Sequence, residues 1–280
     1  MRLNCTRRST AVLAGVFGLI LLTSSPALAQ SRPQTRPEKP DEVLGEKYVF
    51  EVSTTWWTPD VFGVISSDAL NAVGSSIDFK NDLGFESSRF RDLRFVVRPA
   101  KKHRIRVQYT PIEYSSTSVF TRDVTFHGAT FPVALPIESA FTWRVWRMGY
   151  EYDVFYRPRG FVGVVGEARY VDMTAAITSA IGGESVSATA WMPALGAFGR
   201  IYVLPDLAVN FDFTGFKTPK VNGSDLHDTQ WDWDLYGTIN VTNNVGGQIG
   251  WRKSTTLLKI GDATGDMKFE GLWFGFVLRY

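Results

Sequence analysis

The sequence predicts an all-β fold: a transmembrane up-and-down antiparallel β-barrel of ten strands, or eight if one strand pair is only a loop hairpin. Three observations lead there. Apolar and polar residues alternate over segments of about ten residues, near the roughly 9–11 residues that a tilted strand needs to cross a bilayer. Aromatic residues make up 14% of the chain and gather at segment ends, where interfacial girdles need rings with one polar edge. Connections alternate between short and long, as they do when every strand runs from one rim to the other.

The first residues read as an export signal. "MRLNCTRRST" carries Arg2, Arg7 and Arg8 and no acid, "AVLAGVFGLILL" is apolar but short for a membrane span, and Ala27 and Ala29 stand in the A-x-A arrangement of a cleavage site. The expected signal peptide is residues 1–29, cut after Ala29. Cys5, the chain's one cysteine, leaves with it, so no disulfide or thiolate metal site is expected in the mature chain. Three of the thirty Lys+Arg leave as well; 27 then stand against 28 Asp+Glu, a balance that offers nothing to nucleic acid. Residues 30–45, "QSRPQTRPEKPDEVLG", hold three prolines and little to bury, and are expected to be a disordered lead-in. Residues 46–280 are then the barrel.

Strands are expected near 46–58, 87–99, 102–114, 141–157, 160–173, 188–204, 206–217, 229–242, 244–255 and 267–280. In "HRIRVQYT" Ile105, Val107 and Tyr109 oppose Arg104, Arg106 and Gln108. In "WRMGYEYDVFY" Trp146, Met148, Tyr150, Tyr152, Val154 and Tyr156 oppose Arg147, Glu151 and Asp153. "LAVNFDFTG" and "WDWDLYGTINV" alternate in the same way, with Asp212, Asp232 and Asp234 on the polar face. Such faces suit a soluble β-sandwich with its apolar side inside, or a barrel with its apolar side toward lipid. Strand length and the aromatic ends, among them Trp56, Trp57, Tyr150, Tyr156, Trp231, Trp233, Trp251 and Tyr280, favour the barrel. Long connections are expected around 59–86, 115–140, 178–187, 218–228 and 255–266. A further hairpin is expected within "VTFHGATFPVALPIESAFTWRV", and Pro111, Pro193 and Gly149 suggest bulges.

The chain ends on "GLWFGFVLRY", with Leu272, Phe274, Phe276, Leu278 and Tyr280 on one face. This ending resembles the last-strand signal of the outer-membrane β-barrel superfamily of Gram-negative bacteria: a glycine, then apolar residues three and five positions on, the last aromatic. Here these are Gly275, Leu278 and Tyr280; Trp273 departs from the pattern, standing where a polar residue is usual. The resemblance implies an outer-membrane location, contact with outer-membrane lipid and lipopolysaccharide, and recognition by the barrel-assembly machinery. The last strand would close against the first, near "KYVFEVSTTWW".

The polar faces would send Glu51, Asp92, Arg94, Arg98, Arg104, Arg106, Arg147, Glu151, Asp153, Glu167, Arg169, Arg200, Asp212, Asp232, Asp234 and Arg252 into the lumen, with both signs in equal number. In a barrel of eight to ten strands, side chains can fill that space, and arginines there are expected to pair with carboxylates. The function expected is non-enzymatic: a structural barrel, a small-solute channel, or a barrel that binds through its outer loops. The alternative is an enzyme of the outer rim, either omptin-like, from Asp225, His227 and Asp228, although the nearest second aspartate pair, Asp232 and Asp234, is on the adjoining strand rather than across the cleft, or a lipid A-modifying hydrolase, for which His127 has no serine at the right spacing and His103 lies at the wrong rim. Asp262 and Asp266 in "GDATGD" lack a full calcium ligand set. No cofactor is implied.

Overall fold

The alternating segments close on themselves. The computed structural model describes residues 42–67, 74–217, 229–260 and 263–280. Its strands are β1 (Phe50–Trp57), β2 (Asp60–Ser67), β3 (Ile77–Asp78), β4 (Phe90–Ala100), β5 (His103–Val119), β6 (Val124–Phe126), β7 (Ala129–Phe131), β8 (Pro136–Arg157), β9 (Gly160–Ser179), β10 (Gly182–Tyr202), β11 (Leu207–Lys217), β12 (Thr229–Asn240), β13 (Val245–Ile260) and β14 (Ala263–Arg279). The order β1-β4-β5-β8-β9-β10-β11-β12-β13-β14 is antiparallel throughout, and β14 pairs back onto β1 from Glu51↔Arg279 to Trp57↔Trp273. This is a closed barrel of ten strands, not eight. Beyond Thr58 and Pro59 the chain leaves β4 and runs on as β2 beside the upper part of β14, with β3 on its other side.

The short turns at 101–102, 158–159, 203–206 and 241–244 share one rim with Tyr280. By the asymmetry of such barrels this is the periplasmic rim. The long connections are at the other end.

The long strands β8, β9 and β14 exchange the character of their two faces part-way up, without a change of register at that level. On β8 the outward residues Trp146, Met148, Tyr150, Tyr152 and Val154 are apolar or aromatic, whereas Glu138, Thr142 and Arg144 above them are polar. Inward, Arg147, Glu151 and Asp153 give way to Val145, Trp143, Phe141 and Ile137. β9 changes between Tyr170 and Asp172, and β14 between Leu272 and Glu270. Outward Tyr109, Trp146, Tyr170 and Trp191 are successive cross-strand partners, and they form one aromatic row at this level. Below the row, the outer wall meets lipid and the lumen is charged. Above it, the wall meets water and the interior is apolar.

The upper half is therefore packed like a soluble domain. Trp57, Val61 and Ile65 from the β1–β2 run meet Ile112 and Tyr114 of β5, Phe141 and Trp143 of β8, Met173 of β9, and Phe269 of β14 in one buried cluster. Phe79, Leu83 and Phe85 fill the space between β3 and β5, where Ser116 and Ser118 donate to the carbonyls of Gly84 and Asp82 at 3.1 and 2.9 Å. The β6–β7 hairpin turns at His127 and Gly128, both at positive φ, and adds Val124, Phe126 and Phe131 to the cluster.

Several sequence expectations need correction. Residues 178–187 and 255–266 are not long connections: β9 and β10 run to a tight turn beyond Ser179, and β13 and β14 extend to Ile260 and from Ala263. Above the membrane the outward face turns polar, so a reading tuned to apolar-out strands stops too early. The 115–140 connection is mostly strand, with its extra hairpin confined to β6 and β7. Pro111, Pro193 and Gly149 keep register; a proline on a strand loses one ladder bond without inserting a residue. The register shifts instead fall at Val97/Ala100 and Asp153/Phe155, beside two periplasmic turns. The second shift turns Tyr156 inward, and Trp57 is also buried, so neither belongs to a lipid-facing girdle. Residues 43–45, assigned above to the lead-in, are packed: Leu44 donates its N–H to the Pro205 carbonyl at 2.7 Å, and Val43 is buried against Tyr202 and Ala208. The expected signal peptide lies outside the described residues.

If the upper half has a core of its own, Trp143→Ala should lower stability by about 3–5 kcal/mol, although Trp143 lies above the lipid. Equilibrium urea unfolding of the refolded protein measures this.

Candidate functional site

Alternation sends every second side chain of the lower barrel inward, and here that face carries many charges among neutral polar and apolar groups such as Gln108, Asn210, Thr238, Phe161 and Phe198. Nine arginines (Arg94, Arg98, Arg104, Arg106, Arg147, Arg169, Arg200, Arg252, Arg279) meet nine carboxylates (Glu46, Glu51, Asp92, Glu151, Asp153, Glu167, Asp212, Asp232, Asp234) among the described residues. Each guanidinium has a carboxylate within 4.0 Å, and no charge is left over.

At the periplasmic mouth, Glu46 hangs from the N-terminal segment across the opening. Arg98 donates to its carboxylate at 3.0 Å and to its backbone carbonyl at 2.6 Å, and Tyr202 Oη donates to its other oxygen at 3.1 Å. Arg279 Nε donates to Glu51 at 2.6 Å and Nη1 to Asn240 Oδ1 at 2.7 Å, so the seam between β14 and β1 is closed by an ion pair as well as by its ladder. One level higher, Arg104 pairs with Asp153 and lies 3.9 Å from the centroid of Phe161. Arg106 bridges Asp212, Glu151 and Glu167, and Arg94 approaches Asp212 at 3.8 Å.

The top layer holds Arg147, Arg169 and Arg252. Arg169 spans Glu167 and Asp232, Arg147 also pairs with Asp232, and Arg252 reaches Asp92 at 2.9 Å and Asp234 at 2.8 Å. Trp57 and Trp273 each lie 5.4 Å from the Arg252 guanidinium, and Trp273 Nε1 donates to Asp234 at 2.8 Å. These two indoles begin the apolar cluster, so ions and core meet in one layer. A cavity bounded by Glu51, Arg94, Arg106 and Asp212 has a volume of about 30 Å³, and one bounded by Trp57, Gln108, Arg147 and Arg252 is the same size. Each has room for about one water.

No family profile and no curated protein sequence matches the chain. Among solved structures, the outer membrane protease OmpT from Escherichia coli superposes with a TM-score of 0.54 over 82% of this chain and 96% of that one, at 8% identity. The fold is that of an outer-membrane β-barrel. An outer membrane channel from Pseudomonas putida has a TM-score of 0.38 at 11% identity, covering 88% of this chain and all of its own. The attachment invasion locus protein Ail of Yersinia pestis has 0.37 at 12%, covering 82% and 99%.

The residues singled out from sequence can now be located in this barrel. Asp92, Arg94, Arg104, Arg106, Arg147, Glu151, Glu167, Arg169, Arg200, Asp212, Asp232, Asp234 and Arg252 all face the lumen in the paired layers described above. Glu46 and Arg279 were missed. Glu46 precedes the first strand, where alternation says nothing; Arg279 lies on the face opposite Leu278 and Tyr280, and a count of that face would have found it. Leu278 and Tyr280 point outward, and Gly275 fits where a Cβ would lie 2.4 Å from the Thr54 carbonyl oxygen. Trp273 departs from the usual ending because it points inward to Asp234. Of the candidate rim-enzyme residues, Asp232 and Asp234 are buried in ion pairs, while Asp225, His227 and Asp228 lie outside the described residues, as does Asp262. His127 is in the β6–β7 turn, and His103 bonds Tyr150 Oη at 2.5 Å at the opposite rim.

Asp232 is the shared partner of Arg147 and Arg169, whereas Arg252 keeps Asp92 if Asp234 is lost. Asp232→Asn should therefore destabilise the barrel by about 3–5 kcal/mol, as expected when a buried cation loses its partner, and Asp234→Asn by clearly less. Urea unfolding of the two variants checks the order.

Proposed function

We propose that this outer-membrane barrel is closed and non-enzymatic, with a structural role and binding through its outer loops rather than solute passage. The observation that carries this reading is the stacking of a neutral layer, in which every arginine has a carboxylate within 4.0 Å, beneath an apolar core, with Trp57 and Trp273 beside Arg252 where the two meet. An ion would have to break buried pairs below and then enter hydrocarbon-like packing above. A rim enzyme finds no support in Asp232 and Asp234, whose oxygens are engaged by arginines and by Trp273. Purified protein in planar bilayers should show no steady single-channel conductance, before or after Asp232→Asn. Steady openings from the wild type, or cleavage of peptides or lipid A by it, would overturn the reading.

The terminal residues fit two separate roles. Tyr280 is highly exposed at the lipid boundary, as suits recognition by the assembly machinery, while Arg279 is buried on Glu51. Tyr280→Ala should lower the folded yield in cells and leave refolding in detergent nearly unchanged. Arg279→Ala should lower both. Band shifts on unboiled gels report the folded fraction in each case.

A further inference from the structure

The periplasmic rim is charged on one side. Two neighbouring turns, one between β4 and β5 and one between β8 and β9, lie side by side because β5 pairs with β8. The first presents Lys101 and Lys102, and the second follows Arg157 and carries Arg159; all four side chains are exposed, and neither turn carries a carboxylate. Asp153, whose N–H donates to the Lys102 carbonyl, and Glu46 are buried and engaged by Arg104 and Arg98. The other two turns of this rim differ: 203–206 holds Asp206 and no cation, and 241–244 holds no charge.

The same corner is where both register shifts fall. The one at Asp153/Phe155 places Val154 and Phe155 both outward, in succession, with Phe155 71% exposed. A bulge re-aims side chains, and this one adds an aromatic ring to an outward face already carrying Ile105, Tyr150 and Tyr152. Cations at the foot of an apolar wall meet anions that are themselves anchored in the bilayer. Near a membrane surface each such cation favours anionic lipid by about fivefold.

We propose that Lys101, Lys102 and Arg157, with Phe155 as an apolar anchor, form a binding surface for the phosphate headgroups of anionic phospholipid in the periplasmic leaflet. The surface selects which lipid borders the β4–β5 and β8–β9 side of the barrel and so favours one face of the molecule for that lipid. It uses none of the lumen pairs, and a failure here leaves the closed-barrel reading standing.

The test is native mass spectrometry of the full-length refolded protein, released from nanodiscs of phosphatidylethanolamine with phosphatidylglycerol. Wild type should retain phosphatidylglycerol. The Lys101→Gln/Lys102→Gln/Arg157→Gln variant should retain it at least tenfold less at equal folded fraction, judged by gel shift. A control with three cations removed at the other end (Lys80→Gln/Arg122→Gln/Arg144→Gln) should retain it like wild type. Equal retention by wild type and the first variant would overturn the proposal, as would equal loss in the control. Displacement by soluble glycerol phosphate at similar concentration would overturn the membrane source, and loss of binding to peptidoglycan fragments with lipid retention intact would assign the patch to the cell wall instead.

Discussion

A low-dielectric lumen tolerates charge only in pairs. Moving one ion out of water into a low-dielectric interior costs several kcal/mol even after relaxation, so eighteen ionic groups inside one membrane-spanning half would be prohibitive unless each met its opposite. Here they do, nine with nine. Some pairs join neighbouring strands, such as Arg104 with Asp153 and Arg279 with Glu51. Others cross the barrel: Arg106 of β5 with Asp212 of β11, Arg169 of β9 with Asp232 of β12, and Arg252 of β13 with Asp92 of β4. The crossing pairs exist only once the barrel has closed. They also hold register, since a slip of one residue would turn a whole row of arginines toward lipid.

The exchange of faces at the aromatic row follows from the solvent on each side. Below Trp146 and Tyr170 the outer solvent is hydrocarbon, so the outer wall is apolar and polar groups collect inside. Above them the outer solvent is water, and the same strands revert to the pattern of a soluble sandwich with Phe141, Trp143 and Met173 inside. This also explains the strand lengths. β8 has 22 residues, about twice what a bilayer requires, and the surplus builds the core above. Arg252 joins the two regimes: its charge is matched by Asp92 and Asp234, and Trp57 and Trp273 each lie 5.4 Å from its guanidinium.

Much of this was legible in the residues because period-two alternation is a local property. It identified the ten strands, the closing role of "GLWFGFVLRY", and the face shared by Asp212, Asp232 and Asp234. It failed where the reading assumed a single solvent. The upper parts of β9, β10 and β14 carry Thr174, Ser187 and Asp266 outward rather than apolar residues, so alternation tuned to an apolar outer face ends short of them. It failed also at the bulge, where one inserted residue sends Phe155 out and Tyr156 in.

Sequence by itself therefore determined an all-β barrel with two unlike faces, its closure between the first and last strands, and the charge types that enter the lumen. Only the tertiary structure decided which arginine meets which carboxylate, that Glu46 caps the mouth from outside the strands, and that Trp57 and Trp273 turn inward to end the ionic layer. The reason is one of range. A side chain's face depends on its immediate neighbours along the chain, whereas its partner depends on barrel closure, which brings Arg252 to Asp92 across 160 positions of sequence.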